Sequence, residues 1–303
     1  MGRSAKAVAT SGAERSLARE DRPREREAEL PAPRPLLKWV GGKTQLLEQM
    51  QPLLPKTFKR YFEPFVGGAA LFFDLRTRRP DMPAFLSDVN AELVNCYVAV
   101  RDDVEAVIAA LRCHRYESEY YYEVRAQNPA DLSPPERAAR TIFLNKTGYN
   151  GLYRVNRSGQ FNVPFGRFTR PLFCDVDNLH ACSRALRDVS IEHADFSGVL
   201  EHAKKGDFVY FDPPYVPVSP TSDFTAYIPG GFGAAEQEKL AEVFRKLAKS
   251  GVHVLLSNSD TPMVRKLYAG FEIERVYASR SVNSNAARRG KLAEVVVRSR
   301  KAS

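Results

Sequence analysis

The run from Gly206 to Tyr215, Gly-Asp-Phe-Val-Tyr-Phe-Asp-Pro-Pro-Tyr, restricts this chain more than any other stretch. Phe208, Val209, Tyr210 and Phe211 form a short continuous apolar segment, the pattern of a strand. Two consecutive prolines then stop it, because each fixes φ and removes a backbone N–H. Asp212 therefore stands at the carboxyl end of an apolar strand, on a rigid turn. Such a turn can aim the Asp212 carboxylate and the Pro213 carbonyl at one point. Both accept hydrogen bonds, so the complementary partner is a planar NH2 group. Tyr215 adds an aromatic face on which a flat ring could stack. Pro214 helps set the turn, and the bland alternative is a proline-rich loop after a strand.

The rest of the chain supplies further strands and the helices that join them. Arg60 to Phe65 reads as a short strand, followed by a turn at Val66-Gly67-Gly68 and a helix from Ala69 to about Arg79. Ala84 to Asp88 is a second strand, and residues 91–112 continue as one long helix. After the glycine turn at Gly41-Gly42, Leu46, Leu47 and Met50 mark a helical face. Beyond residue 188, strands are expected in Ser190 to Phe196, Val252 to Asn258, Glu272 to Ala278 and Lys291 to Ser299, with a helix from Ala234 to Ser250. Strands joined by helices imply a mostly parallel sheet with ligands at the carboxyl ends of its strands. Between about 116 and 187 the alternation stops. Short helical pieces lead to a stretch in which Leu152 to Asn156 and Gln160 to Phe165 flank Arg157-Ser158-Gly159, a β-hairpin pattern. The organisation read from the sequence is a charged, unfolded arm over 1–35, a first α/β part over 36–112, an inserted module over 113–187, and a second α/β part over 188–303.

The charge is unevenly placed. The chain carries a formal +9, yet residues 1–35 hold eight basic and six acidic side chains, and residues 137–187 hold nine basic against two acidic. These two segments contain the entire surplus. In the second, Arg137, Arg140, Lys146, Arg154, Arg157, Arg167, Arg170, Arg184 and Arg187 are interleaved with Tyr149, Tyr153, Phe161, Phe165 and Phe168, the footprint of contact with a phosphate backbone. A merely solvated charged face is the alternative. No apolar run is long enough to span a bilayer, and the N-terminus lacks a signal-peptide core, so a cytoplasmic protein, nucleoid-associated through DNA, is expected. Cys96, Cys113, Cys174 and Cys182 show no C-x-x-C spacing, which argues against a zinc knuckle, and no metal is expected.

Asp88 lies about twenty residues beyond the Gly67 turn, where a carboxylate can hold a ribose hydroxyl. Alone, this fits NAD, FAD or S-adenosylmethionine. Gly41-Gly42-Lys43-Thr44 suggests a phosphate-binding loop, but Leu37 stands where that pattern needs glycine.

Five motifs in order make the pattern specific: Lys38-Trp39-Val40-Gly41-Gly42-Lys43, Glu63-Pro64-Phe65-Val66-Gly67, Ser87-Asp88-Val89-Asn90, Asp212-Pro213-Pro214-Tyr215 and Ser257-Asn258-Ser259-Asp260. With these, residues 36 to about 300 resemble the Dam family, the D12 class of DNA adenine-N6 methyltransferases. The resemblance implies an α/β fold: a Rossmann-like class I S-adenosylmethionine-dependent methyltransferase sheet with an inserted, mainly helical target-recognition domain carrying a β-hairpin. It implies S-adenosyl-L-methionine as cofactor, double-stranded DNA as partner, and a monomer or weak dimer. Trp39, Lys43, Asp88 and Asp212 match cofactor positions, together with Phe65 and Gly67 of the second motif, and Asp195-Phe196 is assigned beside the cofactor adenine. Tyr149 and Asn150 match residues that fill the space left by an extruded base. Arg154 matches a guanine reader, Leu152 and Pro164 offer apolar contact to thymine methyls, and Lys38 matches another base contact. Arg167 and the basic run Arg288-Arg289-Lys291 are assigned to phosphates. The segments around Asn150 and Asn162 follow GATC-methylating members. Ala69 departs from the family, many of whose members carry a second glycine there, and residues before Leu36 have no counterpart. Other amino-group methyltransferases, acting on cytosine N4 or protein glutamine, a nicotinamide oxidoreductase and a catalytically silent DNA-binding protein remain as alternatives. A role in restriction-modification is one of several the family serves.

Overall fold

The computed structural model describes residues 31–156, 158–217, 231–278 and 292–299. Most of the charged arm, Arg157 in the expected hairpin turn, and the run Arg288-Arg289-Lys291 lie outside the described residues. The chain is already docked at Arg34, whose backbone N–H donates to Asn178 Oδ1 at 2.9 Å and whose guanidinium donates to Asp175 at 2.9 Å.

The strands are β1 (Tyr61–Glu63), β2 (Ala84–Asp88), β3 (Ser190–His193), β4 (Phe208–Phe211), β5 (His253–Ser259), β6 (Glu272–Ala278) and β7 (Leu292–Arg298). They form one seven-stranded sheet in the order β3-β2-β1-β4-β5-β7-β6. The first five are parallel to their neighbours, and β7 inserts antiparallel between β5 and β6. Strand order reverses between β1 and β4, which opens a crevice at their carboxyl ends. Glu63, Asp88 and Asp212 all stand at that edge of the sheet.

Period-two alternation explains the apolar run in β4. Phe208 and Tyr210 enter the core on one face with Tyr61, Phe72, Leu86 and Tyr97, while Val209 and Phe211 enter the core on the other with Phe62, Leu240, Phe244, Leu256 and Val295. Each buried large side chain contributes roughly 1.5–3 kcal/mol, so polar residues anywhere in this strand would be costly.

Among the described residues the helices are α1 (Leu47–Met50), α2 (Ala70–Arg78), α3 (Ala91–Asp102), α4 (Val104–Arg112), α5 (Ser118–Ala126), α6 (Pro134–Thr147), α7 (Val176–Leu186), α8 (Val199–His202), α9 (Ala234–Lys249) and α10 (Pro262–Leu267). The inserted helices α5 and α6 pack through Tyr121, Ile142 and Phe143 into the same core as Phe72 and Leu93.

Three expectations are corrected in detail. The long helix over 91–112 is two helices, broken where Asp103 turns its carboxylate to accept from Ala106 N at 3.0 Å and so caps α4. An Asp side chain of this kind competes with the helical backbone for its donors. The helix after the first glycine turn is reduced to one α turn between 3-10 turns, with Pro52 following it. The β-hairpin is a narrow loop with isolated bridges at Val155 with Phe161 and Gly148 with Phe165. Asn156 Oδ1 accepts from both Ser158 N and Gln160 N, at 3.0 and 2.9 Å, and this side-chain turn replaces ladder bonds.

Candidate active site and nucleic-acid interface

The crevice floor is the Phe65 to Ala69 turn. Tyr97 OH donates to Gly67 O at 2.8 Å, and Gly67 N donates to Asp88 Oδ2 at 3.3 Å. Asp88 Oδ1 accepts from Asn90 N at 3.0 Å, and Asn90 in turn caps α3. Burial raises the Asp88 carboxyl to about 6, against the opposing pull of these backbone N–H groups. Gly67 has φ +44°, and a Cβ there would lie 2.9 Å from Trp39 Cδ1, so the indole rests directly on the turn. Ala69 adopts a left-handed conformation, φ 53°, in which a glycine would be unstrained. Trp39 also stacks on Tyr153, with ring centroids 5.3 Å apart.

Phe65 stacks on Phe196 with centroids 5.3 Å apart, and Phe232 meets both edge-on. These rings touch each other, so they offer an aromatic wall and not a slot between two planes. Asp195 caps its own turn through Ser197 N and pairs with Lys239 at 3.0 Å. The residues fit an adenosyl cofactor: a carboxylate at the end of β2, an aromatic wall on one side, and a glycine turn between them.

Above β4 the second half of the site converges. Lys43 Nζ lies 2.8 Å from Asp212 Oδ1 and 4.8 Å from the centroid of the Tyr215 ring, and it also donates to Gly41 O. Its side chain is 4% exposed. The Lys43 ammonium is the partner of Asp212 Oδ1 in this corner. Burial raises the Asp212 carboxyl to about 6, Lys43 opposes the rise, and Glu294 adds to it. An N–H-bearing cation held between a carboxylate and an aromatic face outlines what this corner accepts.

Sequence reasoning assigned no role to several residues that complete the site. Glu294 on β7 accepts from Tyr215 OH at 2.7 Å. Glu63 is buried, accepts from Tyr61 OH at 2.9 Å, and burial pushes its carboxyl well above the ordinary range. Gln237 on α9 and Asn258 on β5 bond to the turn after Asp212. Glu63 and Asn258 lay inside quoted motifs. Gln237 and Glu294 carried no signal, because the contact depends on distant elements meeting.

On the inserted module, Lys38 and Asn145 are paired: Lys38 N donates to Asn145 Oδ1 at 2.8 Å and Asn145 Nδ2 donates to Lys38 O at 2.9 Å. Asn145 Nδ2 also donates to Gly151 O at 3.0 Å, so one fully buried amide joins the Lys38 segment to the loop after α6. Lys38 Nζ sits over Phe168 at 4.7 Å. Tyr149 is 54% exposed and Asn150 has φ 54°, a kinked presentation at the surface. Arg154 is exposed, its Nε donating to Asn162 Oδ1 at 2.7 Å and its Nη2 to Asn162 O at 3.1 Å. Pro164 and Arg167 are exposed and Leu152 is half-buried.

The basic footprint is smaller than the charge count suggested. Arg137 is paired with Glu92, and Arg140, 4% exposed, donates to the carbonyls of Val124 and Arg125 at the end of α5. Tyr153 and Phe161 are core residues. Among the described residues of this set, Arg154, Arg167 and Arg170 on the loop and Arg187 after α7 are exposed. Among the described residues no group of three or more His, Cys, Asp or Glu side chains could hold a metal ion, and no helix is long and apolar enough to cross a membrane.

Comparison with known proteins gives the same direction. The model of the D12 class N6 adenine-specific DNA methyltransferases matches residues 39–282. A type II methyltransferase of Lactococcus lactis, M1.LlaDCHI, is 42% identical over 272 residues, covering 87% of this chain and 94% of that protein. M.MjaIII, a type II methyltransferase of Methanocaldococcus jannaschii, is 44% identical over 268 residues, covering 82% and 93%. The DNA adenine methylase of Salmonella typhi is 35% identical over 267 residues, covering 87% and 94%.

Proposed function

Because the chain belongs to the D12 class of N6 adenine-specific DNA methyltransferases, we propose that it uses S-adenosyl-L-methionine to methylate an adenine extruded from duplex DNA, within the sequence GATC. The observation that carries this reading is the corner formed by Asp212 and Tyr215, already filled by the Lys43 ammonium at 2.8 Å from the carboxylate and 4.8 Å from the ring. An exocyclic amine on a flat base has the same two requirements, an acceptor for its N–H and a face for its ring. Its entry displaces Lys43 from that corner.

Trp39, Lys43, Phe65, Gly67, Asp88, Asp195 and Phe196 are the residues that would hold the cofactor. When bound, it supplies an electrophilic methyl group on a sulfonium. The adenine N6 lone pair is conjugated with the ring and nucleophilically weak. The acceptors at Asp212 and Pro213 draw the amino nitrogen toward tetrahedral geometry, and positioning supplies much of the rest. With its carboxyl raised to about 6, Asp212 is ionised at neutral pH and ready to accept. It need not be a strong base, since N6 loses its proton readily once methylated. Pro213 and Pro214 keep the turn stiff.

Extrusion of the base costs a few kcal/mol in stacking and pairing, which stacking on Tyr215 offsets in part. Residues 113–187 serve as the target-recognition unit. Tyr149 and Asn150 fill the vacated space, Arg154 reads guanine in the major groove, Leu152 and Pro164 meet thymine methyls, Lys38 makes a further base contact, and Arg167 grips phosphate.

Purified protein, labelled cofactor and a GATC duplex should give label on adenine N6. Asp212→Ala should abolish transfer while retaining DNA binding. Arg154→Ala should relax discrimination at one base by about 1–3 kcal/mol in competition between sites differing there. Label on cytosine N4, or full discrimination by the Arg154 variant, overturns the corresponding assignment.

A further inference from the structure

The turn that presents Asp212 is short of donors of its own. Residues 212–217 read Asp-Pro-Pro-Tyr-Val-Pro, so three of the six have no backbone N–H. Its carbonyls must find donors elsewhere, since a buried unpaired carbonyl is costly. Gln237 on α9, 1% exposed, donates Nε2 to Pro214 O at 2.9 Å. Asn258 on β5, fully buried, accepts from Val216 N at 3.1 Å and donates Nδ2 to Gln237 Oε1 at 3.1 Å. Ser259 Oγ closes the circuit by donating to Val216 O at 2.7 Å.

The placement of these bonds is what gives them meaning. Gln237 holds the peptide plane before Tyr215, through the Pro214 carbonyl. Asn258 holds the plane after it, through the Val216 N–H. With both flanking planes fixed, the backbone of Tyr215 cannot rotate, and the stacking ring keeps its pose relative to Asp212. We propose that Gln237 is a positioning residue for methyl transfer, acting through the Pro214 carbonyl on the turn that receives the target amine. This rests on the reading of Asp212 as the amine acceptor.

Gln237→Glu tests it, because the substituted side chain can donate to Pro214 O only while protonated. Buried at this position it ionises late, and once ionised it turns a second acceptor toward the carbonyl. The ratio of variant to wild-type kcat, at saturating DNA and cofactor, should therefore fall roughly tenfold or more between about pH 6 and about pH 9, with KM for DNA unchanged. Gln237→Met, similar in volume but without a donor, should show low kcat at every pH with KM retained. Melting temperatures taken alongside separate positioning from folding. A ratio that stays flat with pH in folded protein, or losses in kcat that merely follow the melting temperature, overturn the proposal. Asp212→Ala run in parallel keeps the two readings apart. If it still methylates, the amine-acceptor assignment fails. If it is inactive while the Gln237→Glu ratio stays flat, only the role of Gln237 fails.

Discussion

Replacing Lys43 with methionine separates charge from volume at the centre of the site. The ammonium lies 2.8 Å from Asp212 and is almost fully buried, so it holds the carboxyl down against the pull of burial, and the balance comes out at about 6. An opposite charge this close typically lowers a carboxyl pKa by about 1–3 units. Removing it should move Asp212 upward by that amount, past neutrality. The sign follows directly: the folded-state value is raised above the unfolded one, so stability associated with this group is full at low pH and lost as pH rises through the folded value. Wild type should be flat in this respect above about pH 6, whereas Lys43→Met should lose about 1.4 kcal/mol per pH unit across neutrality. In a chain of this size that is a drop of about 2–4 °C in melting temperature per unit. The profile of kcat/KM, which reports the free enzyme, should show its acid limb near pH 6 in wild type and shifted upward in the variant. A melting temperature and an acid limb both indifferent to the substitution would refute the coupling between Lys43 and Asp212.

Glu294→Gln keeps an acceptor for Tyr215 OH but removes a charge that raises Asp212, so the acid limb should move below about 6; an unmoved limb counts against that coupling. Gly151 has φ +64°, and a Cβ there would lie 2.9 Å from Lys38 Cβ. Gly151→Ala should therefore cost about 1–2 kcal/mol in urea unfolding from backbone conformation alone, and wild-type stability would contradict the close approach. Arg140→Met should leave the salt dependence of DNA binding unchanged while destabilising the fold by about 1–3 kcal/mol, since two carbonyls lose their donor. Arg167→Ala should do the reverse, reducing the log–log salt slope by about 1 with little change in melting temperature.

How much of this was legible in the sequence depended on range. The buried strand β4, the proline turn, Asp88 at the end of β2 and the parallel half of the sheet follow from local patterning, and the structure places them where periodicity and turn chemistry put them. The break at Asp103 was missed because continuous apolar spacing outweighed a capping carboxylate within it. The hairpin was overdrawn because Asn156 satisfies backbone donors that a strand ladder would otherwise use. Charge counting overstated the basic face, since Arg140 looks identical in sequence whether it meets phosphate or caps α5. Gln237 and Glu294 were invisible for a different reason. Each acts on a turn at least 20 residues away, through contacts that exist only once the sheet has closed.

Trp39, wedged between the Gly67 turn and Tyr153, is the single tryptophan of the chain. Its indole touches the turn after β1 and the loop after α6 at once. Emission excited selectively in the unmodified protein therefore originates at one seam, and every change in intensity or wavelength on adding ligand or duplex refers to that seam alone. The molecule carries its own optical label at the junction between the sheet's glycine turn and the inserted module.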